Sequence, residues 1–348
     1  MHRFSLRQSL AVLIIVPLIC AVIGIVQLYG HVADRLTTAR VTERMISLGD
    51  AAAGLIHALQ VERGSSVGLV SAVENRSMHR NRVIAAQEAS DKALEAFNEY
   101  LGKAKDDREL PKRVQSFVAA SASLSEDIKA FRERILTGAA MPPDILGFYT
   151  GVINNLIHGS AGSNASNRAE DIALLRAALQ SLMLGKEFAG LQRATGNGIL
   201  SADTVDPDMQ ERFISVSANQ NQALGQMRRQ LGEQVETYFD SMITPAMQQA
   251  LQKGERSIVT YAREGGEKPM TAAQWWTLTS GRIDAMRAAE IKFSERLRAL
   301  SADDGSEATW SLLLSLGLQG SAVALGVLFM TWVGASLSQP IRRASDAL

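Results

Sequence analysis

Two long stretches without a charged side chain, one near each end, constrain this chain more than any other feature. Between Arg7 and Asp34 there is no Asp, Glu, Lys or Arg, and Leu10 to Leu28 is almost wholly apolar. A helix crosses the hydrocarbon core of a bilayer in about 20 apolar residues, so this run has a spanning length. A second run, from Trp310 to about Val333, is preceded by Glu307 and followed by Arg342 and Arg343. The first run is longer than the apolar core of a secretion signal, and no A-x-A site follows it, so it reads as a retained anchor. Arg3 and Arg7 precede the first run, and cationic flanks stay on the cytoplasmic side. The expected organisation is a cytoplasmic start at 1–9, a span at 10–29, an external domain at 30–309, a span at 310–335 and a cytoplasmic segment at 336–348.

The external segment, about 280 residues, exceeds what one compact core usually holds and predicts two subdomains. Lys and Arg number 36, Asp and Glu 36, so the net charge is zero and no broad basic field points to a nucleic acid partner. The sole cysteine, Cys20, lies in the first run and can form neither an internal disulfide nor a Cys-built metal site. His2, His31, His57, His79 and His158 lack the H-E-x-x-H spacing, and neither a phosphate-binding G-x-x-x-x-G-K-[ST] loop nor a G-x-S-x-G elbow occurs. The expectation is a chain that is not an enzyme, with no cofactor and no metal.

Between the runs, apolar residues recur at three and four, and the predicted fold class is all-α, two stacked four-helix bundles. Eight helices are expected. The first continues from the anchor to about Ala72, the second covers about Arg80 to Ala104, and the third starts at Pro111 and stops near Gly138. The fourth follows Pro142-Pro143 and ends at His158-Gly159, before a small, polar loop to Asn167. A fifth runs from about Arg168 to Thr195, stopped by Gly196-Asn197-Gly198. Asp206-Pro207 caps the sixth, which ends near Gly232, and Thr244-Pro245 interrupts the seventh. The eighth opens with a capping box, Thr271 to Gln274, and is long enough to reach the second span. Of the adjacent Trp275 and Trp276, one is expected in the core and the other partly exposed.

Charges that interrupt an apolar stripe must be satisfied or used. Met45, Leu48, Ala52, Leu55 and Leu59 form one line of the first helix, and the next positions on it are Glu62 and Ser66, with Arg63 on the adjacent line. In the fifth helix Ile172, Leu175, Leu179 and Leu182 are followed at the same spacing by Lys186, Ala189 and Arg193, with Glu187 alongside. Small residues flank both arginines, Gly64 and Ser65 on one helix, Ala189, Gly190 and Ala194 on the other. A guanidinium beside small residues offers a fork of donors that matches two oxygens of a planar oxyanion. The alternative is that these charges form internal ion pairs that fix helix register.

Leu59-Gln60-Val61-Glu62-Arg63-Gly64-Ser65-Ser66 resembles the first signature of NIT domains, the nitrate- and nitrite-sensing modules of bacterial receptors. Lys186-Glu187-Phe188-Ala189-Gly190-Leu191-Gln192-Arg193-Ala194 is similar to the later helix of that family, and Trp275 to Glu290, with Thr279, Arg282 and Ile283, is a third match. The resemblance implies two four-helix bundles and a small anion ligand, nitrate or nitrite. It places the ligand on Arg63 and Arg193, with Glu62, Ser66, Lys186 and Glu187 around them. Position 61 is valine, a departure from members that use several arginines; Arg168 and Arg176 are expected at the solvated surface. Gln339-Pro340-Ile341-Arg342-Arg343-Ala344-Ser345-Asp346-Ala347-Leu348 resembles the opening of a HAMP linker. That implies the sensory part of a longer homodimeric receptor in the bacterial inner membrane, periplasmic between its spans. Its output would be a methyl-accepting chemotaxis domain, a histidine kinase or a nucleotide cyclase. The alternative function is a receptor of the same fold for another small ligand or a partner protein.

Overall fold

The computed structural model describes residues 6–71, 76–160 and 170–345. Arg3, most of the loop to Asn167, Arg168 and the last three residues of the HAMP-like segment lie outside the described residues, as do the side chains of 6–18 and of 333–345.

Among the described residues there are nine α-helices and no strand: α1 (Leu6–Ser71), α2 (Arg76–Ala104), α3 (Lys112–Ala120), α4 (Leu124–Leu136), α5 (Pro142–Ser160), α6 (Glu170–Ser201), α7 (Pro207–Leu231), α8 (Pro245–Glu264) and α9 (Ala272–Ser345). A 3-10 turn at Gly232–Gln234 and a π-helical turn at Glu236–Asp240 separate α7 from α8. The chain divides into two compact units, one of residues 1–40 with 301–348, the other Val41–Leu300.

In the first unit, Thr309–Phe329 is 21 residues of helix with mean hydropathy 2.0 and no burial, long and apolar enough to cross a membrane. The N-terminal apolar run is helical from Leu6 onward, and its described side chains Ile19, Val22, Ile23 and Val26 are exposed. Gln319 packs against Gly24, its amide nitrogen 3.6 Å from where a Cβ would stand.

The second unit holds two groups of four helical segments. The first group comprises α1, α2, α3 with α4, and α5, and its core includes Leu55, Leu59, Phe97, Ile128, Phe131, Ile145 and Tyr149. Phe131 stacks on Phe148 at 4.0 Å, and Tyr149 meets that ring edge-on at 5.4 Å. The second group comprises α6 to α9, with Leu175, Leu182, Met227, Met286 and Phe293 in one cluster and Ile199, Phe213, Ile258 and Trp275 in another. Trp275 is fully buried while Trp276 is exposed.

Local chemistry sets the helix ends. Asp206 accepts the backbone N–H of Asp208 at the start of α7, and Thr244 accepts that of Met247 at the start of α8. Thr271 and Gln274 exchange reciprocal hydrogen bonds of 2.8 and 3.2 Å, the expected capping box of α9. Each such cap is worth about 1 kcal/mol. Gly232, with φ of 55°, ends α7 in a conformation that L side chains avoid.

Three boundaries differ from expectation. The second helix begins at Arg76, one turn before Arg80. The expected third helix is two, broken at Ser121, whose hydroxyl bonds back to the Phe117 carbonyl at 2.9 Å and competes with the backbone. And α6 passes through Gly196-Asn197-Gly198 to Ser201. Gly196 is there for close packing: a Cβ would come within 2.4 Å of the Trp275 indole nitrogen and 2.9 Å of Phe213. Glycine's cost in a helix interior, about 1 kcal/mol, is outweighed by burying two aromatic rings.

Candidate functional site

The line Met45, Leu48, Ala52, Leu55, Leu59 is buried along α1, and Glu62 and Ser66 continue it without leaving the core. Glu62 sits in the first group of helices and is saturated. Its carboxylate accepts Arg132 Nε at 2.6 Å and Nη2 at 2.9 Å, Tyr149 Oη at 2.7 Å, and the Ser90 hydroxyl. Burial, and then the charge of Glu62, push the Tyr149 phenol well above its ordinary range, so it stays a donor. The Ser66 hydroxyl is buried one turn on, with no hydrogen-bond partner among the described residues.

Arg63 points the other way, toward α6. Its Nη1 donates to Glu187 Oε1 and to Thr150 Oγ1 at 2.7 Å, and its Nη2 reaches Glu187 Oε2 at 3.0 Å. Gln60, one turn back on α1, donates to the same Oε2 at 2.9 Å. Gly190 makes room for the guanidinium, since a Cβ there would stand 3.4 Å from Nη2. Lys186, adjacent on α6, is buried and bonds Glu290 Oε2 of α9 at 2.6 Å, and Arg287 reaches the same oxygen at 3.0 Å. Burial pushes the Lys186 ammonium below its ordinary value, with Glu290 pulling the other way. His57 faces this cluster, and burial, then Lys186 and Arg287, push it down to about 4.

Arg193 is placed differently. It is partly buried, donates from Nη1 to Ser280 Oγ at 2.9 Å, and its guanidinium lies 4.1 Å from the centre of the Trp276 ring. No carboxylate of the described residues pairs with it. Burial first, and then the neighbouring Arg63 charge, push it down to about 10 against the pull of Asp284, so it remains a cation at neutral pH. Arg282, on α9, is buried; its Nη2 donates to Gln192 Oε1 at 2.5 Å, and Gln192 passes a hydrogen bond of 2.6 Å to Ser217. Among the described residues its Nε has no acceptor, and neither has the buried amide nitrogen of Gln220 on α7. Burial, opposed by the charge of Glu255 and helped by Arg193, brings Arg282 to about 10 as well.

The structure thus gathers Arg63, Arg193, Lys186 and Glu187 where α1, α6 and α9 meet, and turns Glu62 into a separate network. The sequence motifs did not single out Arg282 as a site residue, although it lies in the third motif; an arginine one helical turn beyond Thr279, on the line that leads to Met286, was the available signal. Arg176, expected at the solvated surface, is instead half-buried, which lowers its pKa, and lines a cavity of about 40 Å³ beside Asp50 and Met183. The reason is that α6 packs that turn against α1 and α5. Among the described residues no group of three or more His, Cys, Asp or Glu side chains is arranged to hold a metal ion.

The layer between α1, α6 and α9 carries the cations Arg63, Lys186, Arg193, Arg282 and Arg287; Glu187 and Glu290 pair with Arg63, Lys186 and Arg287, whereas Arg193 and Arg282 feel the charges of Asp284 and Glu255 without an ion pair among the described residues. Charge held in such a layer is weakly screened and acts strongly on its neighbours. The class this defines is an all-helical bundle built around a cationic seam. One solved structure shares the fold: the NasR transcription antiterminator, at 19% identity, aligns over 90% of this chain and 86% of its own with a TM-score of 0.66. Residues 54–298 match the family model described as nitrate and nitrite sensing, and the chain belongs to that family. The match takes in all three motifs around Arg63, Arg193 and Arg282. No curated protein matches the chain.

Proposed function

We propose that this chain is the sensory region of a two-pass bacterial membrane receptor that binds nitrate or nitrite on Arg63 and Arg193, with Arg282 completing the seat. The observation that carries the reading is the pair Arg193 and Arg282: two guanidinium groups, one buried and one partly so, without an ion pair among the described residues, beside a third arginine. Such groups are costly to bury alone and are matched by a small oxyanion that accepts several charge-assisted hydrogen bonds. The apolar helix at 309–329 and the N-terminal apolar run support an anchored, periplasmic placement in the inner membrane. Anion binding shifts α1 against α6 and α9, and the shift passes through the spans to a HAMP-linked output in a homodimer. That output is of the chemotaxis or histidine kinase type. A coupling of about 1 to 3 kcal/mol is enough to bias a two-state linker.

The second reading, a receptor of this fold for another ligand or a protein partner, is favoured by the pairing of Arg63 with Glu187. Calorimetric titration of the full chain in lipid nanodiscs with nitrate, nitrite, sulfate and chloride separates the two. Heat with nitrate or nitrite that is lost in Arg63→Ala is the expected result. Binding unchanged by that substitution sinks the seat, and no heat with any anion favours the second reading.

A further inference from the structure

We propose that Glu187 is the resident occupant of the oxyanion seat on Arg63, an internal carboxylate that an incoming anion replaces. The inference rests on the anion-binding reading above and names what sets that site's affinity. Three donors converge on the two oxygens of Glu187: Arg63 Nη1 on Oε1, and Arg63 Nη2 at 3.0 Å with Gln60 Nε2 at 2.9 Å on Oε2. A carboxylate presents two oxygens on one planar centre, and nitrite or one edge of nitrate presents the same fork to the same donors. The guanidinium is held independently of its occupant, by the Thr150 hydroxyl on one side and the close backbone of Gly190 on the other. A seat whose walls and donors are fixed recognises the shape of what fills it, whether tethered or free.

Glu187 is also tethered across a junction. Its ion pair joins α1 to α6, and among the described residues the other pair joining the two helix groups is Arg298 with Asp50. Replacement by a free anion therefore cuts one of two such ties and leaves Arg63 neutralised. Lys186, whose charge already senses Glu187, gives the released carboxylate a second cation. A tethered competitor lowers apparent affinity without altering the donors, so removing it tightens binding of any anion that fits.

The test is calorimetry on the full chain in lipid nanodiscs, wild type against Glu187→Ala, titrated with sodium acetate, sodium formate and sodium nitrate, with circular dichroism to check the fold. The expected result is acetate and formate binding in Glu187→Ala alone, and nitrate binding at least about tenfold tighter than wild type, or 1.4 kcal/mol. Acetate binding no better than wild type, with nitrate unchanged or weaker, would overturn the proposal and leave Glu187 a structural partner of Arg63. Acetate binding in Glu187→Ala with no nitrate binding in either protein upholds the exchange and sinks the nitrate reading. If Glu187→Ala does not fold, Glu187→Gln keeps the volume and one acceptor oxygen. Nitrate should then bind about tenfold tighter, and an unchanged affinity overturns the proposal.

Discussion

Glu62 and Arg193 interrupt apolar stripes in the same way, yet the two helix groups treat them oppositely. In the first group, Glu62 is fully buried and its oxygens are filled by Arg132, Tyr149 and Ser90. In the second, Arg193 and Arg282 are held by hydroxyl, amide and ring contacts that carry no opposing charge. The first arrangement is closed: every strong acceptor has its donors, and the network fixes one packing. The second leaves two guanidinium groups without an ion pair among the described residues, the feature on which the proposed anion seat rests. A charge on a core line thus has two fates, and the difference lies in whether distant helices supply its partner.

Breaking the closed network should have the largest effect. Arg132→Ala strips Glu62 of its cation while leaving it buried, and unfolding stability should fall by about 3 kcal/mol in a thermal or denaturant melt. Saturating nitrate comes next: at about 100 times Kd it should stabilise wild type by about 2.7 kcal/mol, and this gain should vanish in Arg282→Met. Without nitrate, Arg282→Met removes a buried cation that has no ion pair among the described residues and orphans Gln192 Oε1, so stability should fall by only about 1 kcal/mol, well short of Arg132→Ala. A large loss there would erase the contrast between the two regions.

The effect that is smallest at neutral pH is a pH dependence. His57 is held near 4 against an ordinary value of 6.5, so the unfolded chain takes up this proton first. Its contribution is neutral above about 6.5, and stability is lost as pH falls from there toward 4. Because the ring is only partly buried, the loss should be about 2 kcal/mol after allowance for screening. Melts of His57→Gln and wild type should therefore converge above pH 7 and separate at pH 5, with the variant the more stable relative to its own neutral value.

Much of the fold was legible because its signals are local. The caps at Asp206 and Thr271, the stop at Gly232 and the contrast between Trp275 and Trp276 all rest on residues within a few positions of each other. The site was legible only in part. Spacing marked Glu62, Arg63, Lys186 and Arg193 as misplaced in a core, but could not say that Arg132 takes Glu62, that Glu187 takes Arg63 or that Glu290 takes Lys186. Those partners lie on other helices and are fixed by packing alone. The same limit explains Gly196, which reads locally as a stop and is required by the ring of Trp275 across the bundle.

The central claim is that the unbalanced arginines form the seat for a small oxyanion, and the nitrate dissociation constant of Arg193→Ala tests it most directly. Arg193 makes no ion pair among the described residues, so its removal should cost the fold little. Affinity should drop at least about tenfold relative to wild type, with helix content unchanged by circular dichroism. Nitrate binding to Arg193→Ala with wild-type affinity would contradict the account.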